Sequence, residues 1–409
     1  MAIPFELGRR FPSAQRVDFR WYWLGMFCYS FGMQSRAVIA GWLIYQLTGS
    51  ALSIGWYIGT WGLAAFFLSF FGGTLIDRLN LRLVLVVARG VAALALTILF
   101  LLVRADQLAF WHLLLFNLVN GAVAAFEYPA RTAVVPKLVP GQELTGAFGL
   151  AYTAQNLAAI VGPALVGPIM DRVGAAPALL VTAAVMWSSA LSILPIRPNL
   201  CDPVADSRRA PVLRGLLDGL RHILATPVLL GAEVLILLYA LLMMPYRDIL
   251  PAIAADVLRT GATGLGLLSS ALSTGALLGT LFLSAAGEIR PRGLYFLGAA
   301  LLESVLLSLF AISRVFALSL GLLALAGIGH GFFIPLSNTL LQAYAAPEMR
   351  GRVIGMNMFV WSLQPLGTIA IGAAADRIGP AWALLGSVVS AAAIYLSALV
   401  ASQRMRTLP

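Results

Sequence analysis

The sequence predicts an all-α membrane protein with twelve transmembrane helices in two pseudo-symmetric six-helix bundles. The chain has 409 residues, of which 60% are hydrophobic and only 11% are charged. A soluble domain of this length carries many more charges, so this composition indicates a polytopic membrane protein. Twelve apolar runs and an internal repeat complete the basis for the prediction.

Each predicted span is an apolar run of about 20 residues or more, the length that crosses a hydrocarbon core of about 30 Å. The first run follows Arg20 and is too long for the apolar part of a signal peptide, so we expect a retained span. The runs lie near residues 21–46, 51–76, 83–103, 108–128, 145–169, 175–195, 225–252, 262–286, 293–312, 315–341, 351–375 and 381–401.

The second half of the chain repeats motifs of the first half in the same order and spacing. Glu143, Gly146, Gly162, Gly167, Asp171, Arg172 and Gly174 recur as Glu348, Gly351, Gly367, Gly372, Asp376, Arg377 and Gly379. A repeat about the midpoint of a membrane chain indicates two bundles related by a pseudo-two-fold axis, with a pathway between them. Such bundles can rock to open the pathway to one side at a time, which favours a transporter.

We predict an N-terminal bundle over residues 1–195, a cytoplasmic linker over 196–224 and a C-terminal bundle over 225–409. The linker ends in an amphipathic stretch that suits a helix in the membrane interface. The basic residues are concentrated in alternate short loops, which places both termini in the cytoplasm. The net charge of +10 therefore reflects membrane orientation and does not indicate nucleic-acid binding.

Two function classes lack their sequence signatures. The chain contains no Gly-x-x-x-x-Gly-Lys-Ser/Thr loop, so transport driven by ATP within this chain is not expected. It contains no recognisable nucleophile, base and oxyanion set and no cluster of metal ligands, so we expect neither an enzyme nor a bound cofactor.

One loop motif points to a family. Gly73-Thr-Leu-Ile-Asp77-Arg78-Leu-Asn80-Leu-Arg82 resembles the Gly-x-Leu-x-Asp-Arg-x-Gly-Arg-Lys/Arg signature of the major facilitator superfamily. It departs from that signature at Asn80, where we expect the Asn to keep the tight turn because Asn tolerates a left-handed conformation. The next residue departs as well, with Leu81 in place of Arg.

Three further stretches narrow the resemblance. They run from Trp42 to Leu52, from Phe126 to Arg131 and from Pro347 to Arg352. Together they are similar to the bacterial transmembrane secretion effector group, which includes the enterobactin exporter and macrolide efflux proteins. The similarity covers nearly the whole chain and implies the major facilitator fold.

The resemblance implies a cytoplasmic gate beside the loop motif. Gly73 would let helices approach closely, and Asp77 would sit against a helix N-terminus. Arg78 and Arg82 would pair with Glu127 at the end of span four. Arg131 lies one turn beyond Glu127 and would complete the charge cluster. The alternative is a set of ordinary loop charges.

Ionisable residues inside spans cost about 2.5–3.5 kcal/mol each on insertion scales, so each needs a reason. Arg36 in span one would meet an anionic cargo group or an acid on span seven, or form a structural ion pair. Glu233 in span seven is the candidate proton carrier, unless its carboxylate reaches the membrane interface. Arg247 near the outer end of span seven would contact cargo or proton, or stay at the membrane interface. His330 in span ten could titrate or only pack.

Uncharged polar residues extend the candidate site. Asn117 and Asn120 in span four and Gln155 in span five could line a polyspecific cavity. The family's span-four motif carries an Arg that is absent here, where Asn117 and Asn120 stand instead. Arg89 and Glu303 lie in peripheral spans, and we expect structural roles for both.

The sequence therefore predicts a secondary transporter of the bacterial inner membrane that works by alternating access. It would export an amphipathic small molecule, such as a drug, a macrolide or a siderophore, in exchange for protons. A transporter of a lipid or an anionic metabolite is the nearest alternative, and a non-transporting sensor or scaffold is a more distant one. The expected partners are the cargo and membrane lipid, and one chain would suffice for the pathway.

Overall fold

A computed structural model describes residues 12–76, 79–197, 212–287 and 290–401. Within those ranges every regular element is helical and no strand occurs, which confirms the predicted all-α class. Residues 198–211 of the predicted linker and two residues of the predicted gate, Asp77 and Arg78, lie outside the described residues.

Each of the twelve predicted spans coincides with a single helix or with a run of consecutive helical segments. The first six spans are Val17–Thr48, Ala51–Ile76, Leu81–Arg104, Phe110–Leu138, Leu144–Val173 and Ala175–Leu191. The linker helix is Val212–Ala225, and span seven begins as Pro227–Leu238. The remaining spans are Gly261–Ala285, Arg292–Ile312, Phe316–Tyr344, the pair Arg350–Ser362 and Gln364–Ile378, and Pro380–Ala401.

Ten of the described spans are long and apolar enough to cross a membrane. The other two occupy the places of spans one and six, where Ala175–Leu191 is apolar but has only 17 residues. The chain is therefore a multi-pass membrane protein, as its composition predicted.

Span seven departs from regular α-helix in its second half. It passes through a π-helical turn at Tyr239–Met243 and a 3-10 turn at Met244–Arg247 before a second π-helical turn at Ile253–Val257. Pro245 and Pro251 lie in this stretch and lack the backbone donor that a regular helix needs. Such irregular backbone within a membrane depends on neighbouring helices, and π-helical turns are frequent at functional sites.

The chain divides into two compact units. One comprises Met1–Leu43 and Thr60–Ser207, and the other comprises Ile44–Gly59 and Arg208–Pro409. In the first unit span three packs against spans four and six, and in the second span nine packs against spans ten and twelve. The repeated sequence thus produces repeated packing. The predicted boundaries at 195 and 225 stay a prediction, and the units differ from them in grouping 44–59 with the second half.

Hydrogen bonds explain why residues 44–59 belong to the second unit. The Asp376 carboxylate accepts the Ala51 backbone N–H at 2.7 Å and also accepts the Ser50 hydroxyl. The Tyr45 hydroxyl donates to Asp256. Asp376 thereby satisfies donors in the first turn of span two and places a negative charge at the positive end of that helix. This gives the second copy of the repeated Asp-Arg-x-Gly motif a structural role.

Two glycines, one in span four and one in span ten, allow close helix contacts. A Cβ atom on Gly121 in span four would overlap the carbonyl oxygen of Trp61 in span two. A Cβ atom on Gly331 in span ten would likewise overlap the carbonyl oxygen of Ala276 in span eight. Small residues that bring backbones together are a common basis of helix association in membranes.

Substitution of Gly331 by alanine is expected to destabilise the protein by about 1–3 kcal/mol, the usual cost of forcing an extra carbon into a packed interior. The measurement is thermal unfolding of the purified protein in detergent. Gly298→Ala is the matched control, because a Cβ atom at Gly298 meets no atom within 4 Å. Equal unfolding temperatures for the two variants would contradict this account of the contact.

Candidate functional site

Arg36 is buried in the first unit and bonds to neutral groups. Its Nη1 donates to Asn117 Oδ1 at 3.0 Å and its Nε contacts the Met33 sulfur at 3.2 Å. Its guanidinium carbon lies 5.9 Å from the centre of the Phe116 ring. Among the described residues no carboxylate forms an ion pair with Arg36. The arginine is held in place by span four while its charge stays uncompensated there.

Two more of the predicted polar residues lie in the same unit. Asn120 donates through Nδ2 to the Phe116 carbonyl oxygen at 2.8 Å, and its Oδ1 is buried with no hydrogen-bond partner. Gln155 is half-buried and lines a cavity together with Tyr22, Tyr128 and Arg131. The Arg131 guanidinium carbon lies 5.0 Å from the centre of the Tyr128 ring. This cavity therefore offers aromatic surface, an amide and a cation to a small molecule.

Glu127 forms the centre of a buried charge cluster. One carboxylate oxygen accepts Nη2 of Arg89 at 3.1 Å, and the other lies 3.9 Å from Nε of Arg131. The side chain of Arg89 has no exposed surface and that of Glu127 has 2%. Arg89 also lies over the Tyr29 ring, at 5.1 Å from its centre, and donates to the Ser189 carbonyl oxygen. The cluster ties spans one, three, four and six of the first unit together.

The structure differs from the predicted pairing of Glu127 with Arg82. Arg82 lies in the first turn of span three, two turns and about 10 Å along the axis from Arg89, and it donates to the Leu194 carbonyl oxygen. Asn80 is extended, with φ of −68°, and accepts the Arg82 N–H as the cap of span three. The departure at Asn80 thus supplies a helix cap, whereas we expected a left-handed turn.

Glu233 is buried in the second unit, so its carboxylate does not reach the surface. One oxygen accepts Nδ2 of Asn357 in span eleven at 3.3 Å, and the other is buried without a hydrogen-bond partner. The side chain is 5% exposed, and no basic side chain in the described part of the chain pairs with it. A carboxyl group in this setting can take up and release a proton without breaking an ion pair.

Spans seven, nine and ten bring the side chains of Tyr239, Glu303 and His330 together in the second unit. The Tyr239 hydroxyl lies 2.6 Å from Oε2 of Glu303 and 2.8 Å from Nδ1 of His330. Nδ1 of His330 is 3.9 Å from the other Glu303 oxygen. The predicted His330 therefore has a carboxyl neighbour through a hydroxyl bridge, which packing alone would not require.

Arg247 and Asp248 follow at the far end of span seven. The Asp248 carboxylate accepts the Gln364 amide at 2.7 Å and the Thr368 hydroxyl at 2.6 Å. Arg247 closes the 3-10 turn of span seven and is half-buried. Within the second unit, no hydrogen bond or ion pair joins Glu233 to Arg247 or to His330.

Sequence reasoning missed Tyr239 and gave Glu303 only a structural role. Tyrosine is common at membrane interfaces, so one tyrosine in an apolar span carries little signal. The usable signal was Glu303 itself, since a carboxyl group in mid-span cannot face lipid and must find a partner inside the protein. Arg89 carried the same signal in span three.

Comparison with known proteins gives the chain's relatives. The family model described as Major Facilitator Superfamily matches residues 22–366. The chain is 29% identical to multidrug efflux pump Tap of Mycolicibacterium fortuitum, over 83% of this chain and 84% of that one. It is 29% identical to the enterobactin exporter EntS of Escherichia coli O1:K1, over 86% of this chain and 82% of that one. It is 26% identical to macrolide efflux protein A of Streptococcus pyogenes, over 75% of this chain and 76% of that one.

Solved structures share the architecture. The nucleoside transporter NupG aligns with a TM-score of 0.73 at 15% identity, over 94% of this chain and 99% of that one. A POT family transporter crystallised with a thioalcohol-conjugated peptide aligns with a TM-score of 0.75 at 14% identity, over 95% and 96%. At these identities the likeness concerns the fold alone.

Proposed function

The chain belongs to the major facilitator superfamily, and from this premise we propose that it exports an amphipathic small molecule in exchange for protons. It does so by alternating access in the bacterial inner membrane, with both termini in the cytoplasm, and it catalyses no chemical step. Candidate cargoes are drugs, macrolides and siderophores, the compounds that the names of its relatives mention.

We infer proton coupling from Glu233, which is buried and has no positively charged partner among the described residues. A buried carboxylate without a positive partner is costly, and protonation removes that cost. Asn357 supplies one hydrogen bond through its amide, and the second oxygen is left without one. A proton that binds when Glu233 is accessible from one side of the membrane can leave when it is accessible from the other.

We assign gating to the charged residues at the predicted cytoplasmic ends of spans two to four. Asp77 and Arg78 would close the gate beside Gly73, and Arg82 would hold the start of span three through Leu194. Glu127 and Arg131 act differently in this proposal. With Arg89 they fix the end of span four, so that the gate closes against a rigid helix.

Arg36 supports an anionic cargo or an anionic group on the cargo. A buried guanidinium that is positioned by Asn117 and has no carboxylate partner in the described residues can bind a carboxylate, a phosphate or a catecholate. This observation favours the second candidate function, transport of a lipid or an anionic metabolite, as far as the cargo is concerned. The proton-coupling part of the proposal is the same for both candidates.

Substitution of Arg36 by glutamine is expected to weaken apparent affinity for an anionic cargo by about tenfold or more, since a hydrogen bond to a charged group contributes about 1.5–3 kcal/mol. Uptake of a neutral or cationic cargo should change little. The measurement is the concentration dependence of uptake for each cargo. Arg104→Gln, at an exposed arginine, is the control, and an equal loss for cargoes of every charge would contradict the assignment.

The proposed function is tested with inverted membrane vesicles that contain the protein and carry an imposed pH gradient. The panel is a fluorescent cationic dye, a macrolide and a catecholate siderophore. We expect uptake of at least one compound that stops when a protonophore collapses the gradient. Uptake that continues undiminished after collapse would overturn proton coupling.

A further inference from the structure

The cluster of Glu303, Tyr239 and His330 is a buried polar arrangement in the second unit that the proposed mechanism does not use. Glu303 and Tyr239 have no exposed surface, while the His330 side chain is 13% exposed. Oε1 of Glu303 is buried without a hydrogen-bond partner. A carboxylate in such a place needs either a compensating positive charge or a proton.

The hydrogen bonds of the cluster fit two protonation states with the same heavy-atom positions. A tyrosine hydroxyl has one hydrogen to donate and lone pairs to accept with. When Glu303 is ionised, Tyr239 donates to it and accepts the N–H of protonated His330. When Glu303 is protonated, its O–H donates to Tyr239, and Tyr239 donates to the unprotonated Nδ1 of neutral His330. Distances of 2.6 and 2.8 Å suit both directions.

We propose that Glu303, Tyr239 and His330 form a second proton-binding site, in which the proton enters at His330 and is stored on Glu303. The proposal rests on the proposed proton-coupled transport and adds to it a second proton-binding site, which must be loaded in the same transport cycle as Glu233. His330 is the only one of the three with exposed surface, so we assign proton entry and release to it.

The transfer balances within the three side chains. The Nδ1–H bond of His330 breaks and its proton forms a new bond to the Tyr239 oxygen. The hydroxyl proton of Tyr239 moves at the same time to Oε2 of Glu303. The bonding electrons stay with the nitrogen and the tyrosine oxygen, so His330 ends neutral, Tyr239 unchanged and Glu303 neutral. The reverse transfer releases the proton.

The surroundings favour a built site over an accidental contact. Three other titratable or charged side chains interact electrostatically with Glu303: Tyr246, Arg247 and Tyr395. Arg247 also interacts electrostatically with His330. In the second unit's described residues, Glu303 has no ion pair with an arginine or a lysine. The nearby positive charge of Arg247 can offset the carboxylate in the ionised state without fixing it there.

Backbone features position the three groups. Tyr239 begins the π-helical turn of span seven, a feature that is frequent at functional sites. Gly329 lets span ten approach span nine beside Glu303, since a Cβ atom on Gly329 would lie 3.0 Å from Cβ of Glu303. The Tyr239 ring stacks on Phe333 at a centroid distance of 3.8 Å, which holds the hydroxyl in place.

The direct test is infrared difference spectroscopy of the purified full chain during a pH titration, which follows the carbonyl stretch of protonated carboxyl groups. The variants are Glu303→Gln, Tyr239→Phe and Glu233→Gln. Tyr344→Phe is the matched control, because it removes another tyrosine hydroxyl of the second unit that is buried without a hydrogen-bond partner, about 21 Å along span ten from His330. Uptake driven by a pH gradient is measured in parallel.

We expect Glu303→Gln to remove one titrating carboxyl signal and Glu233→Gln to remove a different one. Tyr239→Phe should keep the Glu303 signal but shift its frequency, and it should slow gradient-driven uptake by about tenfold or more, because it breaks the proton connection. Tyr344→Phe should change neither the Glu303 signal nor the rate of gradient-driven uptake. The same titrating signals in Glu303→Gln and wild type would overturn the proposal, and so would an unshifted signal in Tyr239→Phe. If the Glu303 signal is present but uptake ignores the pH gradient, the site stands and the proposed coupling fails.

Discussion

Replacement of Glu233 by glutamine is expected to abolish uptake driven by a pH gradient while leaving the exchange of cargo across the membrane without a gradient intact. Glutamine has the shape of a protonated glutamate and can keep the bond to Asn357, but it cannot release a proton. The substitution therefore holds the site permanently in its neutral form. The measurement compares gradient-driven uptake with the exchange of labelled for unlabelled cargo in the same vesicles.

The control for this prediction is Glu348→Gln, which neutralises an exposed carboxylate outside the spans. It should behave as wild type in both measurements. Gradient-driven uptake that survives in Glu233→Gln at the wild-type rate would remove Glu233 from the proton pathway. Loss of cargo exchange together with gradient-driven uptake would instead assign Glu233 to cargo binding or to the conformational change.

Replacement of Glu127 by glutamine is expected to destabilise the protein by about 3–5 kcal/mol, the usual result of removing one partner from a buried ion pair. Arg89 has no exposed surface, and its 3.1 Å contact with Glu127 is its one ion pair within the described residues. Without the carboxylate, the guanidinium stays buried with an uncompensated charge. The measurement is thermal unfolding in detergent, followed through the loss of helical signal.

Two comparisons make this stability prediction specific. Glu143→Gln removes the partner of Arg16 in an exposed pair at 3.1 Å, and surface pairs contribute only about 0–1 kcal/mol. The double variant Arg89→Met with Glu127→Leu should recover most of the loss, since it removes both charges together. A loss in Glu127→Gln no larger than that in Glu143→Gln would contradict the buried role of the pair.

The helices could be predicted from the sequence because the membrane imposes a simple rule. Every backbone group must be satisfied within the bilayer, so each long apolar run becomes a helix. The repeat predicted two related bundles, and span three packs against spans four and six as span nine packs against spans ten and twelve. The interruption of span seven at Tyr239 was not predicted, because a π-helical turn depends on the neighbours that accept its displaced groups.

The charged residues of the site could be found in the sequence, but their partners could not. Arg82 and Arg89 both lie on span three, and the choice between them as partner of Glu127 depends on helix depth and rotation, which apolar periodicity does not fix. Glu303 and His330 were visible as costly residues. Their connection through Tyr239 depends on three spans meeting at one point, and short-range sequence patterns do not predict which spans meet.

Proton coupling is tested most directly in proteoliposomes that contain only the purified protein and a pH-sensitive dye in the lumen. A cargo gradient is imposed at equal pH on both sides, and the membrane potential is held at zero. We expect cargo that leaves through the protein to drive protons in the opposite direction, and the Glu233→Gln variant to move no protons. Cargo movement at the wild-type rate with no change in lumenal pH would contradict it.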